Sequence, residues 1–264
     1  TAVRRPDRSK RSTQHALAKF HDNVMAGLNN GKITTAILLD IRAAFDTVWH
    51  NGLIHKLMKC GLCPLLCKII QNFLAHRSMS VKSNGVLSQR QNIPAGVPQG
   101  SCVSDILFLA YVNDMPSHPG IHKSQFADDS LFYRTHRDCK LASKALNSYL
   151  NRVGKFFKCW KLKICENKSQ MLNIIGRCSD TSRRLRSAAQ DMEISINNRI
   201  ITKVDALRYL GQWFAKNGSA KCHIDKAIRK TNITTSKLRH LLRSSHIFSD
   251  IKTMFYKSII RPTL

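Results

Sequence analysis

The chain has 264 residues, with 43 Lys and Arg against 16 Asp and Glu, so its formal net charge of +27 calls for a polyanionic partner. A hydrophobic content of 43% and a mean hydropathy of −0.25 exclude a disordered basic tail, and the length affords a buried core, which excludes a disulfide-stapled peptide. The longest useful apolar run, residues 106–112, is far short of the roughly 18 residues a membrane helix requires, so no membrane span is expected.

The first dozen residues are basic, with Arg4, Arg5, Arg8 and Arg11, and lead into no apolar stretch, so they do not read as a secretory signal. They read either as phosphate contacts or as a solvated arm. From Ser12 a helix is predicted: Ser12 or Thr13 caps it, Leu17, Phe20, Val24 and Leu28 recur at helical steps, and Asn29-Asn30-Gly31 stops it. Ile33–Leu39 is β-branched and almost continuously apolar, the pattern of a strand buried on both faces, and it terminates at Asp40. Helical patterns follow at 53–60 and 65–74, the second opened by Pro64. Cys60, Cys63 and Cys67 fall there; with no fourth ligand at a familiar spacing they read as core thiols rather than a zinc site. The odd total of 9 Cys points to reduced thiols and an intracellular setting, nuclear or cytoplasmic.

Residues 77–91 read as a hairpin with Asn84-Gly85 at its tip, and 94–100 (PAGVPQG) as a loop poised on a helix that starts at Ser101. Residues 124–133 (SQFADDSLFY) read as a tight hairpin with Asp128 and Asp129 at the tip. A long helix carries Leu141 through Trp160, a strand covers 171–175, and a hairpin turns at Asn197-Asn198. From Asp225 onward the chain is helical and basic.

Asp40 at a strand end and Asp128-Asp129 at a hairpin tip stand out in so basic a chain. Clustered carboxylates repel one another, and divalent cations are the usual means of neutralising them. In phosphoryl transfer two Mg²⁺ ions about 3.5–4 Å apart activate an attacking hydroxyl and stabilise the leaving group. Hard oxygen ligands suit that ion. On residues alone, Asp128-Asp129 as a simple turn dipeptide remains the competing reading.

LLDIRAAFDTVWH (38–50), IPAGVPQGS (93–101), FADD (126–129), WKLKICENKSQ (160–170) and RYLG (208–211) resemble, in sequence and in order, consecutive blocks of reverse transcriptases of non-LTR retrotransposons of the jockey type. The resemblance runs from about residue 12 to the C-terminus. It implies an RNA-directed DNA polymerase that copies an RNA template from a DNA primer with deoxynucleotide triphosphates. Two Mg²⁺ ions, with Mn²⁺ as the alternative, would lie on Asp40, Asp128 and Asp129. It further implies that Phe45 excludes a ribose 2′-hydroxyl, that Gln99 and Gly100 pack on the incoming nucleotide and template, and that Lys168 assists the leaving pyrophosphate. Tyr209, Leu210 and Gly211 would form the primer grip. Ala43, Asp105, Cys165 and Glu166 depart from the family pattern, which commonly has lysine, proline, asparagine and proline there; none is a metal ligand.

The implied fold class is α/β in the mixed (α+β) sense: a polymerase palm with an antiparallel ferredoxin-like sheet backed by helices, partial fingers and a helical partial thumb. The expected divisions are 1–33 as basic arm and fingers helix, 34–215 as palm with a fingers insertion at about 53–100, and 216–264 as partial thumb. The chain reads as a fragment of a longer element protein. The alternative function is a truncated relic that binds nucleic acid without catalysis.

Overall fold

A computed structural model describes residues 12–126, 129–176 and 180–263. The N-terminal arginines, Asp128 and Cys178 therefore lie outside the described residues. Helix α1 (Thr13–Asn29) starts where foreseen, with the Ser12 hydroxyl accepting from the His15 amide. Strand β1 (Ile33–Leu39) is followed by α2 (His50–Lys59) and α3 (Pro64–Leu74). Two short ladders then pair β2 (Ser78–Met79) with β5 (Gln91–Asn92) and β3 (Lys82–Ser83) with β4 (Val86–Leu87). Asn84 and Gly85 turn the inner ladder with φ of 48° and 83°, the left-handed pair that a two-residue hairpin needs.

Helix α4 (Ser104–Val112) leads to β6 (His122–Phe126) and β7 (Asp129–His136), then α5 (Cys139–Cys159) and β8 (Gln170–Ile174). After α6 (Asp180–Gln190) come β9 (Ser195–Ile196) and β10 (Arg199–Ile200), which turn at Asn197-Asn198, then β11 (Thr202–Lys203) and a hairpin of β12 (Ala206–Tyr209) with β13 (Gln212–Ala215). Helices α7 (Lys221–Lys237), α8 (Arg239–Arg243) and α9 (Ser249–Phe255) end the chain with two short helical segments. The boundaries correct the sequence reading in places. The first strand of the acidic hairpin begins at His122 rather than Ser124, the helix after the Pro-Gly loop at Ser104 rather than Ser101, and the C-terminal helices at Lys221. Helix α6 was not foreseen.

The main sheet has the order β11-β8-β1-β7-β6. β1 is antiparallel to both β7 and β8, β6 is antiparallel to β7, and the short β11 runs parallel to β8. Taken in chain order, β1, β6, β7 and β8 stand as 4-1-3-2, the ferredoxin-like arrangement. Alternation divides β1 between two cores. Ile33, Ile37 and Leu39, with Phe132 and Met171, pack against α4 and α5 through Phe108, Tyr149, Val153 and Phe157. Ala36, with Leu131, Tyr133, Leu172 and Ile174, packs against Phe20 and Val24 of α1 and Tyr209 and Phe214 of the β12–β13 hairpin. Burial on both faces accounts for the nearly continuous apolar run. The two buried threonines find partners across the ladder: the Thr35 hydroxyl donates to Asn173 Oδ1 at 2.8 Å, and the Thr34 and Thr135 hydroxyls lie 2.9 Å apart. No described helix is long and apolar enough to cross a membrane.

Candidate active site

Asp40 follows the last residue of β1, and the final rung of the β1–β7 ladder joins Leu39 to Ser130. Asp40 and Asp129, the first residue of β7, are thus the residues next to that final rung, at one end of the ladder. Phe126 pairs with Asp129 across the hairpin tip. Asp128, the other acidic residue of the tip, is outside the described residues, so its convergence with Asp40 stays an expectation. β8 begins at Gln170 opposite Leu38, which brings the segment before it to the same end of the sheet.

That segment is sewn to the continuation of β1. The Cys165 amide donates to the Asp40 carbonyl at 2.8 Å, the Arg42 amide donates to the Lys163 carbonyl at 2.8 Å, and Ile41 bridges Ile164. The turn places Lys168 Nζ 3.9 Å from Asp40 Oδ2, with the lysine side chain 75% and the aspartate 30% exposed. A pair this loose and this wet locks neither group, so both remain open to a ligand.

The chain after Asp40 turns through Ala43, whose φ is 47°, and delivers Phe45 to the base of the Pro-Gly loop. The Phe45 ring is half-buried, 4.9 Å from that of Phe108. Its carbonyl accepts from the Val97 amide at 2.8 Å, and the Val48 carbonyl accepts from the Gly96 amide at 2.8 Å. Gly96 presses on the backbone of Asp46, where a Cβ would meet atoms at 2.7–2.9 Å. Beyond this anchor Gln99 and Gly100 are exposed. Phe45 and the base of the Gln99 loop are thus brought together. Two residues that the sequence did not single out hold the loop: Arg77 Nη1 donates to the Gly96 carbonyl at 3.0 Å, and His50 Nε2 donates to it at 2.8 Å.

Tyr209, Leu210 and Gly211 form the tight β12–β13 turn, with φ of 46° at Leu210 and 87° at Gly211. Tyr209 is fully buried, and its hydroxyl donates to Ser124 Oγ of β6 at 2.9 Å. Burial pushes the Tyr209 phenol above its usual pKa, and the Asp129 charge adds to that rise. The Tyr209 hydroxyl thus ties this turn to β6, the first strand of the acidic hairpin.

Among the described residues no three His, Cys, Asp or Glu side chains form a metal-holding group. Asp40, its side chain 30% exposed, and Asp129 at the start of β7 are nonetheless hard oxygen donors at the same end of the sheet, of a kind that could hold a hard divalent cation. Cys67 is buried as expected of a core thiol, whereas Cys60 and Cys63 are exposed, which corrects that part of the reading.

Two supporting contacts had no sequence signal. Lys56, only 3% exposed, donates to the Tyr111 carbonyl and to Asp114 Oδ1, each at 2.5 Å, and lies 3.7 Å from the Trp160 ring centroid. Arg199 Nη1 meets Glu166 Oε2 at 2.5 Å.

Residues 7–214 match the family described as reverse transcriptase (RNA-dependent DNA polymerase). The chain is 25% identical over 266 residues to the RNA-directed DNA polymerase from mobile element jockey of Drosophila melanogaster, and 28% identical over 268 residues to its counterpart in Drosophila funebris. It is 25% identical to the probable RNA-directed DNA polymerase from transposon BS of Drosophila melanogaster. In each comparison 97% of the chain is covered, but it spans only 28% of the relative. Similar solved structures include apo telomerase from Candida tropicalis (12% identity, TM-score 0.47, 75% of this chain and 38% of the other). Telomerase from Candida albicans is another (13% identity, TM-score 0.48, 86% and 39%). The family match covers most of the chain, from before α1 to within β13, and takes in the whole main sheet: this chain belongs to the reverse transcriptase (RNA-dependent DNA polymerase) family.

Proposed function

We propose that the chain is the core of an RNA-directed DNA polymerase, in which a primer 3′-hydroxyl attacks the α-phosphate of a deoxynucleotide paired to an RNA template. The observation that supports this reading is the Lys168 ammonium 3.9 Å from the Asp40 carboxylate, at the end of β1 where the neighbouring β7 opens with Asp129. Asp40 and Asp129, with Asp128, would hold divalent metal, for which Mg²⁺ is the natural choice. Bound there, such ions supply Lewis-acid activation of the hydroxyl and charge neutralisation at the phosphates.

The remaining roles belong to this chain's own side chains. Lys168 offers an ammonium to the departing pyrophosphate, where positive charge or a proton lowers the barrier. Phe45 walls the sugar, and the exposed Gln99–Gly100 loop meets the base pair. The Tyr209–Gly211 turn bears on the primer end. The surplus of Lys and Arg is what a copying enzyme needs, since it grips phosphate backbones without demanding one sequence.

Primer extension on an RNA template with Mg²⁺ tests this. Asp40→Asn is expected to cut incorporation by at least ~10²-fold, as for loss of a principal electrostatic group, while the thermal unfolding midpoint stays within a few degrees of the parent. Incorporation at the parental rate in Asp40→Asn would end the assignment. The charge of +27 is equally served by a second reading, a relic that binds nucleic acid without catalysis. That reading predicts salt-sensitive binding indifferent to Asp40 and no incorporation.

A further inference from the structure

We infer that Arg199 is a positioning residue that acts through Glu166 to hold the Lys168 turn against Asp40; the kinetic consequence rests on the polymerase reading, the geometry does not. The turn is a closed unit. The amides of Lys168 and Ser169 donate to the Cys165 carbonyl at 3.1 and 3.0 Å, and the fully buried Ser169 hydroxyl donates to the same carbonyl at 2.9 Å. Its N-terminal side is fixed to Asp40 by the Cys165 amide. Its outer side has Glu166, only 21% exposed, as a handle.

Arg199 reaches that handle from β10, and the β9–β10 hairpin is itself immobilised. Ile194 and Ile196 are in the core, the Ser195 amide donates to Asn147 Oδ1 at 2.9 Å, and Asn197 Oδ1 sits where Gly154 of α5 has no side chain, 2.7 Å from an imagined Cβ. The ion pair therefore joins a rigid platform on α5 to a turn that carries an otherwise solvent-exposed lysine. Glu166 cannot fix the local φ as a proline would. An anchored partner supplies the restraint instead. With the tether cut, Lys168 keeps its charge, but the hydrogen bonds that close the turn open more often and its ammonium samples positions away from Asp40.

Amide hydrogen exchange in the full chain decides the matter without requiring activity. In Arg199→Ala the Lys168 and Ser169 amides are expected to exchange about fivefold faster, the upper end for a close ion pair whose arginine is 69% exposed and whose glutamate is 21% exposed. The Ser195 and Ile201 amides of the platform should be unchanged. Glu166→Arg should do the same. Arg199→Lys should recover part of the protection, and the exchanged pair Glu166→Arg with Arg199→Glu most of it. In primer extension Arg199→Ala should lower kcat about fivefold with nucleotide KM unchanged, and should cost nothing further in a Lys168→Ala background.

Unchanged exchange at Lys168 in Arg199→Ala, or failure of the exchanged pair to restore protection, overturns the proposal. So does an equal loss in parent and Lys168→Ala backgrounds. A parent chain that incorporates no nucleotide counts against the polymerase reading alone, because the exchange rates still test the tether by themselves.

Discussion

Ala43 holds a left-handed φ of 47° with its side chain exposed, three residues beyond Asp40. An L side chain in that region costs about 1–2 kcal/mol, part of which glycine returns through its floppier unfolded state. Ala43→Gly should therefore raise unfolding free energy by about 0.5–1 kcal/mol in urea titrations. A drop would mean that the turn is not strained. Lys56 poses a different residue-scale question, because a cation is enclosed by the Tyr111, Phe156 and Trp160 rings. Burial lowers its pKa from the usual 10.5, with Asp114 opposing the shift. The unfolded chain then keeps this proton to higher pH than the folded chain does. This group's contribution to stability must consequently increase as pH climbs through the window that ends near 10.5. Relative to Lys56→Met, the parent should gain unfolding free energy as pH rises toward 10.5, measured by denaturant titration. A constant difference would mean that the lysine titrates as it does in water.

At the scale of elements, the Pro-Gly loop depends on one point of contact. Gly96 has a φ of 93°, and a Cβ would meet the Asp46 carbonyl oxygen at 2.7 Å. Gly96→Ala should cost at least about 2 kcal/mol through strain and forced separation of the two segments, visible as a lower urea midpoint. Retained stability would show that the two segments can part without penalty. The elements differ in how legible they were. β1 announced itself because burial on both faces forces an apolar, β-branched run, and the Asn-Gly and Asn-Asn turns because those residues tolerate positive φ. Helix α6 was hidden: Leu185 and Ala189, four apart, are its only buried apolar residues, set in a run of arginines and serines. Leu210 gave no sign of a left-handed turn, since leucine seldom adopts one. The acidic site was legible as a set of roles only through the family resemblance. The contacts of Lys56 with Trp160 and of Arg199 with Glu166 join distant segments by tertiary apposition, which leaves no periodicity to detect.

For the molecule as a whole, the excess of positive charge is concentrated in part on exposed faces of α7 and α8, including Arg229, Lys230, Arg239 and Arg243. Binding to a nucleic-acid duplex through such groups releases counterions, at a slope of about −0.9 in log K per log salt for each phosphate contact. Arg229→Ala with Lys230→Ala should flatten that slope by roughly two such steps, measured by fluorescence anisotropy across a salt series. An unaltered slope would place the contacts elsewhere. The central position of β1 has a last consequence, which concerns how the chain comes into being. Ile37 is made early, yet its partners Phe132 and Met171 emerge from the ribosome much later. Until then ITTAILL, uncharged and free of proline, waits with both edges bare, the composition that seeds amyloid-like stacking. Assembly should be slow for so non-local a pairing, and solubility during synthesis should be governed by this one strand.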